Sequence, residues 1–501
     1  MTTDHQIAFF LRELETGDTW RRAAAAKGLG KLGGTEHAAV LLRAAADSAP
    51  EVREGAAVGL GRLGVPPAGA AVVQALCALM DDVDPWVRRQ ASLASVRLGL
   101  RDREVVDGYA RLLGDPDYHL RINALEALRE LGVPGDVPAL VRLLGDPAHG
   151  IWGRARAMIF EFGKDPDIQA EVARAALWGA DGARVHALLM LSDQHTDRLL
   201  PSLLKDLTDG PSAEVRCAVA FRLARVKHPE TRDALFAALA AERDPAVARQ
   251  LLFLLGRSGD QRLLGPASRW LSEERAGPSA AAALGAVGGK TATRLLRTLL
   301  TDPATTPPTL AAAAKAYGEM GRWDAVWLLL PLLDHAAAEV YEGALRGLDA
   351  MADTGFRPWE RAAVARGLVA RLGVAPTLVG VAERVLTGLA EALPGMRELV
   401  DRTTSPMVRA AALSLLDPHN ATDAGTPHDL PLLVRHLDDG NLWVRQAAAE
   451  AIAHWVEETG TLPAGEERLR ERLAALDSDP SAHVREAAAE ALRALDDCRN
   501  T

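Results

Sequence analysis

The sequence predicts an all-α protein in which pairs of helices stack side by side as a solenoid. Three observations carry that prediction: one helical pattern returns on a beat of about 32 residues, glycines keep the same beat near the helix ends, and the apolar residues are mostly small or aliphatic. The clearest copy of the pattern is Asp115-Pro116-Asp117-Tyr118-His119-Leu120-Arg121-Ile122-Asn123-Ala124-Leu125-Glu126-Ala127-Leu128-Arg129-Glu130-Leu131-Gly132. Asp115-Pro116 supplies a helix start, because Asp accepts bonds from unpaired N–H groups and Pro sits in a first turn where no donor is missed. Ala124, Ala127, Leu128 and Leu131 then recur at helical spacing, and Gly132 offers a positive-φ stop.

Aligned on the Arg that follows each start, the beat falls at Arg22, Arg53, Arg88, Arg121, Trp152, Arg184, Arg216, Ala248, Gly277, Leu310 and Tyr341. It blurs after Asp353 and returns at Arg409, Arg445 and Arg485. Terminal glycines accompany it at Gly33, Gly64, Gly99, Gly132, Gly163, Gly259, Gly288 and Gly321. Shorter amphipathic helices lie between, such as Asp136 to Leu144 and Arg198 to Leu207, so each repeat holds two antiparallel helices. In the blurred stretch, helices are expected from Pro358 to Leu372 and from Pro376 to Leu393, and the polar runs Asp417 to His428 and Glu457 to Glu467 are expected as surface loops. The expected organisation is one continuous solenoid: regular repeats over 1–260, divergent central repeats over 261–395 and regular repeats again over 396–501. A helix pair of this length cannot bury enough surface alone, whereas stacking covers both faces of every internal pair.

Composition narrows the function. Aromatic residues make up 4% of the 501 while the apolar fraction is 48%, so Ala, Leu and Val must build the core. A net charge of -10 gives no electrostatic footprint for nucleic acid. Positive charge is nearly all Arg, as GC-rich bacterial coding would give. Cys77, Cys217 and Cys498 are too far apart for a disulfide framework or a metal motif, which fits a reducing cytoplasm. The residues from Met1 to Gln6 lack a signal-peptide layout and no apolar run approaches the roughly 20 residues of a membrane helix, so a soluble cytoplasmic protein is expected.

The run Asp479-Pro480-Ser481-Ala482-His483-Val484-Arg485-Glu486-Ala487-Ala488-Ala489-Glu490-Ala491-Leu492 resembles the HEAT repeat, in the variety named after phycobilisome lyases. Asp84-Pro85-Trp86-Val87-Arg88 and Ser405-Pro406-Met407-Val408-Arg409 share it, whereas from about Ala248 to Leu393 the Val-Arg pair is missing. The resemblance implies a right-handed, armadillo-like α-solenoid of about 14 to 15 helix pairs, with the Arg-bearing helices lining the concave surface. It also implies a ladder in which a loop Asp and a second-helix Arg join neighbouring repeats. Carried over, the ladder would use Arg22, Arg53, Arg88, Arg121, Arg184, Arg216, Arg409, Arg445 and Arg485, whose planar forks suit a carboxylate and helix-end carbonyls together.

Motifs of other chemistry carry little weight. Gly28 to Gly33 and Gly59 to Gly64 both spell G-x-G-x-x-G but close helices and follow no strand. Gly285-Ala286-Val287-Gly288-Gly289-Lys290-Thr291 resembles a phosphate loop, yet Leu284 stands where the first Gly is required, and a repeat turn with Thr291 capping the next helix is the expectation. Histidines are scattered singly, no H-E-x-x-H is present, and Ser258 and Ser279 have no recognisable base, so neither a metal site, a cofactor nor a nucleophile is expected.

Tryptophan placement stands out. Trp20, Trp86 and Trp443 each sit two residues before a ladder Arg, and Trp152 replaces one. Trp152, Arg156 and Phe160 follow one another four apart on a stripe distinct from Ala155, Met158 and Phe162, and would be flanked by Trp86, Arg89 and His186. Exposed aromatic rings beside Arg suit anchoring of a partner, although each ring could instead fold over the groove between repeats. Three readings follow. The leading one is a non-catalytic scaffold or adaptor whose concave face holds a protein or peptide. The second is a HEAT-like enzyme or small-molecule chaperone of the lyase or base-excision kind, with Trp152, Trp178 and Asp181 in an aromatic pocket. The third, nucleic-acid binding, is opposed by the acidic balance.

Overall fold

In the computed structural model the described residues are 3–63, 69–210, 212–226, 228–353, 355–420 and 429–500, and no strand occurs among them. The chain is an all-α solenoid. It divides into two compact units, Met1–Ala238 and Leu239–Thr501.

The first unit runs through α1 (Thr3–Thr16), α2 (Thr19–Leu32), α3 (Ala38–Ala44), α4 (Pro50–Arg62), α5 (Ala70–Met80), α6 (Pro85–Arg97), α7 (Arg103–Leu112) and α8 (Tyr118–Leu131). It continues through α9 (Val137–Arg142), α10 (His149–Glu161), α11 (Pro166–Trp178), α12 (Asp181–Met190), α13 (Asp193–Asp209) and α14 (Ala213–Leu223), with α15 spanning Pro229–Ala241. The Arg-bearing helices α2, α4, α6, α8 and α10 pack each on the next, and α3, α5 and α7 form a second row behind them. The first row is close-packed because its contact positions are Ala and Gly: Ala26, Ala56, Ala57 and Ala91 are fully buried. A β-carbon on Gly30 of α2 would collide with the Gly59 backbone of α4. Gly28, Gly30, Gly59 and Gly61 of the two G-x-G-x-x-G runs therefore serve helix contact, Gly33 ends α2, and Gly64 lies outside the described residues.

In the second unit the helices are α16 (Pro245–Gly256), α17 (Leu264–Ser268), α18 (Gly277–Val287), α19 (Gly289–Thr301), α20 (Pro307–Glu319), α21 (Ala325–Leu329) and α22 (Ala338–Ala352). Then come α23 (Pro358–Val369), α24 (Val379–Leu386), α25 (Leu393–Arg402), α26 (Pro406–Leu415), α27 (Leu430–Arg435), α28 (Leu442–Thr459), α29 (Glu466–Ala475) and α30 (Ala482–Asn500). The even-numbered helices from α18 to α30 again pack in succession. Over α18, α20 and α22 the ladder Arg is absent from the sequence, and Ala and Gly contacts hold the row: Gly318 faces the backbone of Gly347, and Gly343 that of Ala311.

Several local expectations are corrected. Asp117, not Asp115, caps α8, accepting from His119 N at 2.7 Å and Leu120 N at 3.2 Å, because the Asp115 carboxylate is already taken by Arg88. Gly132 adopts φ 72 as expected, but Gly33 ends α2 at φ -79 and Gly163 is not left-handed either. The helix expected from Pro376 to Leu393 is broken: Gly388 turns the chain at φ 77, and α24 and α25 lie on either side. The helix from Asp136 tightens to a 3-10 turn over Leu143–Gly145, and the one around Arg198 is longer, filling Asp193–Asp209. The loop expected from Asp417 to His428 lies outside the described residues from 421 onward.

Candidate functional site

Beside the row of Arg-bearing helices, Asp47, Asp82, Asp115, Asp439 and Asp479 are each held from two sides. Arg53 grips the Asp82 carboxylate with Nε at 2.6 Å and Nη2 at 2.8 Å, while its Nη1 donates to the carbonyls of Asp47 and Ser48 in its own loop at 3.0 Å each. Arg88 repeats this one helix pair on, with Asp115 at 2.6 and 3.0 Å and the Asp82 and Val83 carbonyls at 2.9 and 3.1 Å. Asp82 thus receives Arg53 on its carboxylate and Arg88 on its carbonyl. The pairs Arg22–Asp47 at 3.0 Å, Arg121–Asp146 at 2.9 Å, Arg184–Asp206 at 2.6 Å, Arg409–Asp439 at 2.8 Å and Arg445–Asp479 at 2.8 Å have the same character. Arg216 donates to the Gly210 carbonyl at 2.8 Å and Arg485 to that of Asp479 at 2.6 Å. Burial by itself would raise the pKa of Asp82, but the Arg53 hydrogen bond, the Asp84 N–H and the charges of Arg53 and Arg88 outweigh it and hold the carboxyl below its ordinary value.

At Trp152 this scheme changes. The indole stands where an Arg would be, at the start of α10, and stacks on His186 of α12 with ring centroids 4.2 Å apart and planes 24° from parallel. His149 meets its edge at 4.6 Å and 87°, and the Arg156 guanidinium lies 5.5 Å from its centroid. Here α12 seats mainly against α11, α14 and the Leu143–Gly145 turn. Burial, followed by the nearby positive charge of Arg156, lowers the His186 pKa, and His186 Nδ1 is buried without a hydrogen-bond partner among the described residues.

The stripe of Trp152, Arg156 and Phe160 is graded in exposure. Trp152 is half-buried between repeats, Arg156 is exposed, and Phe160 stands 83% exposed. Trp86 is 60% exposed and has Arg89 5.5 Å from its ring centroid, a separate pair on α6. Trp20 and Trp443 are also exposed. Trp178 ends α11 in solvent and Asp181 opens α12, both exposed.

The family model described as HEAT repeats matches residues 7–97 and 73–160, and one described as HEAT repeat matches residues 430–458. The chain carries HEAT repeats. Its Arg22, Arg53, Arg88, Arg121 and Trp152 all fall within the first HEAT matches, and Arg445 within the last. No curated protein sequence matches the chain. Among solved structures it is similar to importin beta in a polyethylene glycol condition, at 10% identity and a TM-score of 0.61, covering 98% of this chain and 81% of that one. A second importin beta structure, in an ammonium sulfate condition, gives 14% identity, a TM-score of 0.56, and coverage of 98% and 79%. A structure of Kap95p, whose binding is described as inducing the switch loops of RanGDP to adopt the GTP-bound conformation, gives 14%, 0.51, 99% and 72%. At these identities the likeness is one of fold.

The phosphate-loop-like segment joins α18 to α19. Gly288, not Thr291, is the residue before α19, and Thr291 lies inside its first turn. Lys290, Arg294, Arg297 and Arg322 line a recess of about 630 Å³ there, and Arg297 is paired with Asp324 at 3.2 Å. No helix of the described residues is long and apolar enough to cross a membrane.

Two features escaped the sequence. His149 completes the Trp152 cluster, and its three-residue spacing from Trp152 was the available signal. Histidines that stand singly in sequence meet at His419 and His454, whose rings stack at 3.9 Å. They are 35 positions apart, and no local spacing announces them.

Proposed function

We propose that the chain is a non-catalytic scaffold that holds a protein or peptide on the face presented by its Arg-bearing helices. In this reading Trp86, Arg89, Trp152, Arg156, Phe160 and His186 contact the partner, and the ladder arginines keep the repeats in register. The observation that carries it is Phe160, a phenyl ring 83% exposed on a helix whose long aliphatic side chains, Ile151, Met158 and Ile159, are buried. A large apolar group left in water beside Arg156 gains when a partner covers it. The Gly and Ala contacts that bring the Arg-bearing helices close support placing that row on the inner, concave side, since the more tightly spaced row of a stacked pair takes the shorter arc. The fold likeness to Kap95p, described as binding RanGDP, is consistent with a protein partner. The lyase-named variety of the HEAT repeat and a bacterial cytoplasm belong to the same reading, supported by the Asp84 to Arg88 and Asp479 to Arg485 runs and the Arg-rich cation content.

The test is photo-crosslinking from position 160, and separately from position 86, in the native cell. A shared crosslinked protein that a folded Trp152→Ala/Phe160→Ala variant no longer captures supports the reading. Undiminished capture by that variant rejects the site.

A further inference from the structure

We propose that Asp417, His419 and His454 form a binding site for a divalent first-row transition-metal ion of the zinc class, with Glu458 beside it. The three residues each offer a ligand atom, and these atoms lie within 4.8 Å of one another. Two imidazole nitrogens and a carboxylate oxygen are the donor set that borderline divalent ions select, whereas calcium and magnesium prefer oxygen alone.

The site is built by two neighbouring helices of the Arg-bearing row. Asp417 follows α26, and His454 and Glu458 lie one turn apart on α28. The turn that delivers His419 is fixed at several points. Asp417 Oδ1 accepts from His419 N at 2.9 Å, the Asp417 carbonyl accepts from Asn420 N at 2.9 Å, and Asn420 Nδ2 donates to the Ser414 carbonyl at 2.9 Å. The Asn420 carbonyl in turn accepts from Gly388 N at 2.8 Å, which ties the turn to the break between α24 and α25. His419 is thereby held against His454 with ring centroids 3.9 Å apart and planes 26° from parallel.

Charge is what the cluster lacks. The Asp417 side chain is only 7% exposed, and among the described residues His454 is the ionisable side chain within ion-pair reach of it, its Nδ1 2.7 Å from Oδ2. Glu458 Oε1 adds a second carboxylate, 3.5 Å from His419 Nε2. Two carboxylate side chains thus stand beside two imidazole rings. One divalent ion would supply the positive charge that the two carboxylates lack. The His454 Nδ1 lone pair binds the metal in the Nε2–H tautomer of a neutral ring, so a proton held at Nδ1 passes by way of solvent to Nε2 as the ion loads. The 2.7 Å gap must open by about 0.5 Å to admit metal–ligand bonds of roughly 2.0 to 2.2 Å.

The experiment uses the full chain, stripped with chelator and titrated with Co²⁺ as a spectroscopic surrogate for Zn²⁺. Expected are one equivalent of cobalt with visible ligand-field bands, bleaching when Zn²⁺ is added, and affinity at least about tenfold weaker in His419→Ala. His419 is partly exposed on a turn, so that variant should keep the wild-type circular dichroism; His454→Gln is the second variant. The proposal is overturned if the wild type shows no ligand-field bands, or if folded His419→Ala binds cobalt as tightly and with the same spectrum. Should His454→Gln fail to fold, His419→Ala alone decides between these results.

Discussion

Trp152 and His186 lie in parallel contact, 4.2 Å between centroids, where neighbouring HEAT repeats on the N-terminal side are joined by an Arg gripping an Asp. A stack of neutral rings has taken over a junction that elsewhere uses charge.

The two aromatic ends of that stripe should respond differently to truncation. Trp152→Ala removes a half-buried inter-repeat contact and is expected to cost about 2 kcal/mol. Phe160→Ala, at a ring in solvent, should stay within about 0.5 kcal/mol. Urea denaturation of both variants checks this, and equal losses would mean that Phe160 also belongs to the packing.

The Arg53–Asp82 rung should be strongly coupled and the exposed Arg111–Asp81 pair should not. Asp82 is 8% exposed and bound at two points, so Arg53→Ala strands a buried carboxylate and is expected to cost about 3 kcal/mol. Arg111 and Asp81 are 51% and 50% exposed, and a double-mutant cycle there should give less than about 0.5 kcal/mol. The comparison fails if the two cycles return similar coupling energies.

Two glycines should respond to alanine with opposite signs. Gly30→Ala drives a methyl into the Gly59 backbone and should destabilise by about 1–3 kcal/mol. Gly153, inside α10, has nothing within 4 Å of where a β-carbon would stand, so Gly153→Ala should stabilise by about 0.5 to 1 kcal/mol. Thermal melts of the two variants should therefore move in opposite directions.

Stability should fall on mild acidification. Burial, with a nearby Arg charge, lowers the pKa of both His186 and His436 in the folded chain. The unfolded chain, with values near about 6.5, takes up these protons first as pH falls. The stability present at neutral pH is thus lost below about 6.5 and levels off once the folded histidines also titrate. A His186→Gln/His436→Gln variant should flatten this part of the pH profile; an unchanged slope between neutral and mildly acid pH would refute the assignment. The Asp47 and Asp82 carboxyls, held below their ordinary value, act in a separate and more acid window.

The helices and the arginine positions could be read from the chain because both depend on residues near in sequence. A 3.6-residue apolar period and a Val-Arg pair after Asp-Pro are local signals. Pro376 to Leu393 misled because its apolar content suits a helix throughout, while the turn at Gly388 is set by the Asn420 carbonyl 32 residues on. Asp115 misled for a related reason: its side chain could cap α8, but Arg88 from the preceding pair takes it. The orientation of the Trp152 indole and the meeting of His419 with His454 depend on how successive pairs pack, which no spacing within one pair encodes.

The double hold on Asp47, Asp82 and Asp115 bears on how such a chain can grow. A repeat inserted between those of Arg53 and Arg88 would offer its Asp to the Arg before it and its Arg to the Asp after it, so both new junctions would be complete at once. Duplication of whole repeats therefore leaves no ladder partner unmatched along that stretch. At Trp152 this fails, because an indole needs a flat ring in the following repeat, and His186 is the residue placed to supply one. The repeats on either side of that junction have a fixed order, whereas the ladder by itself sets no order on those preceding it.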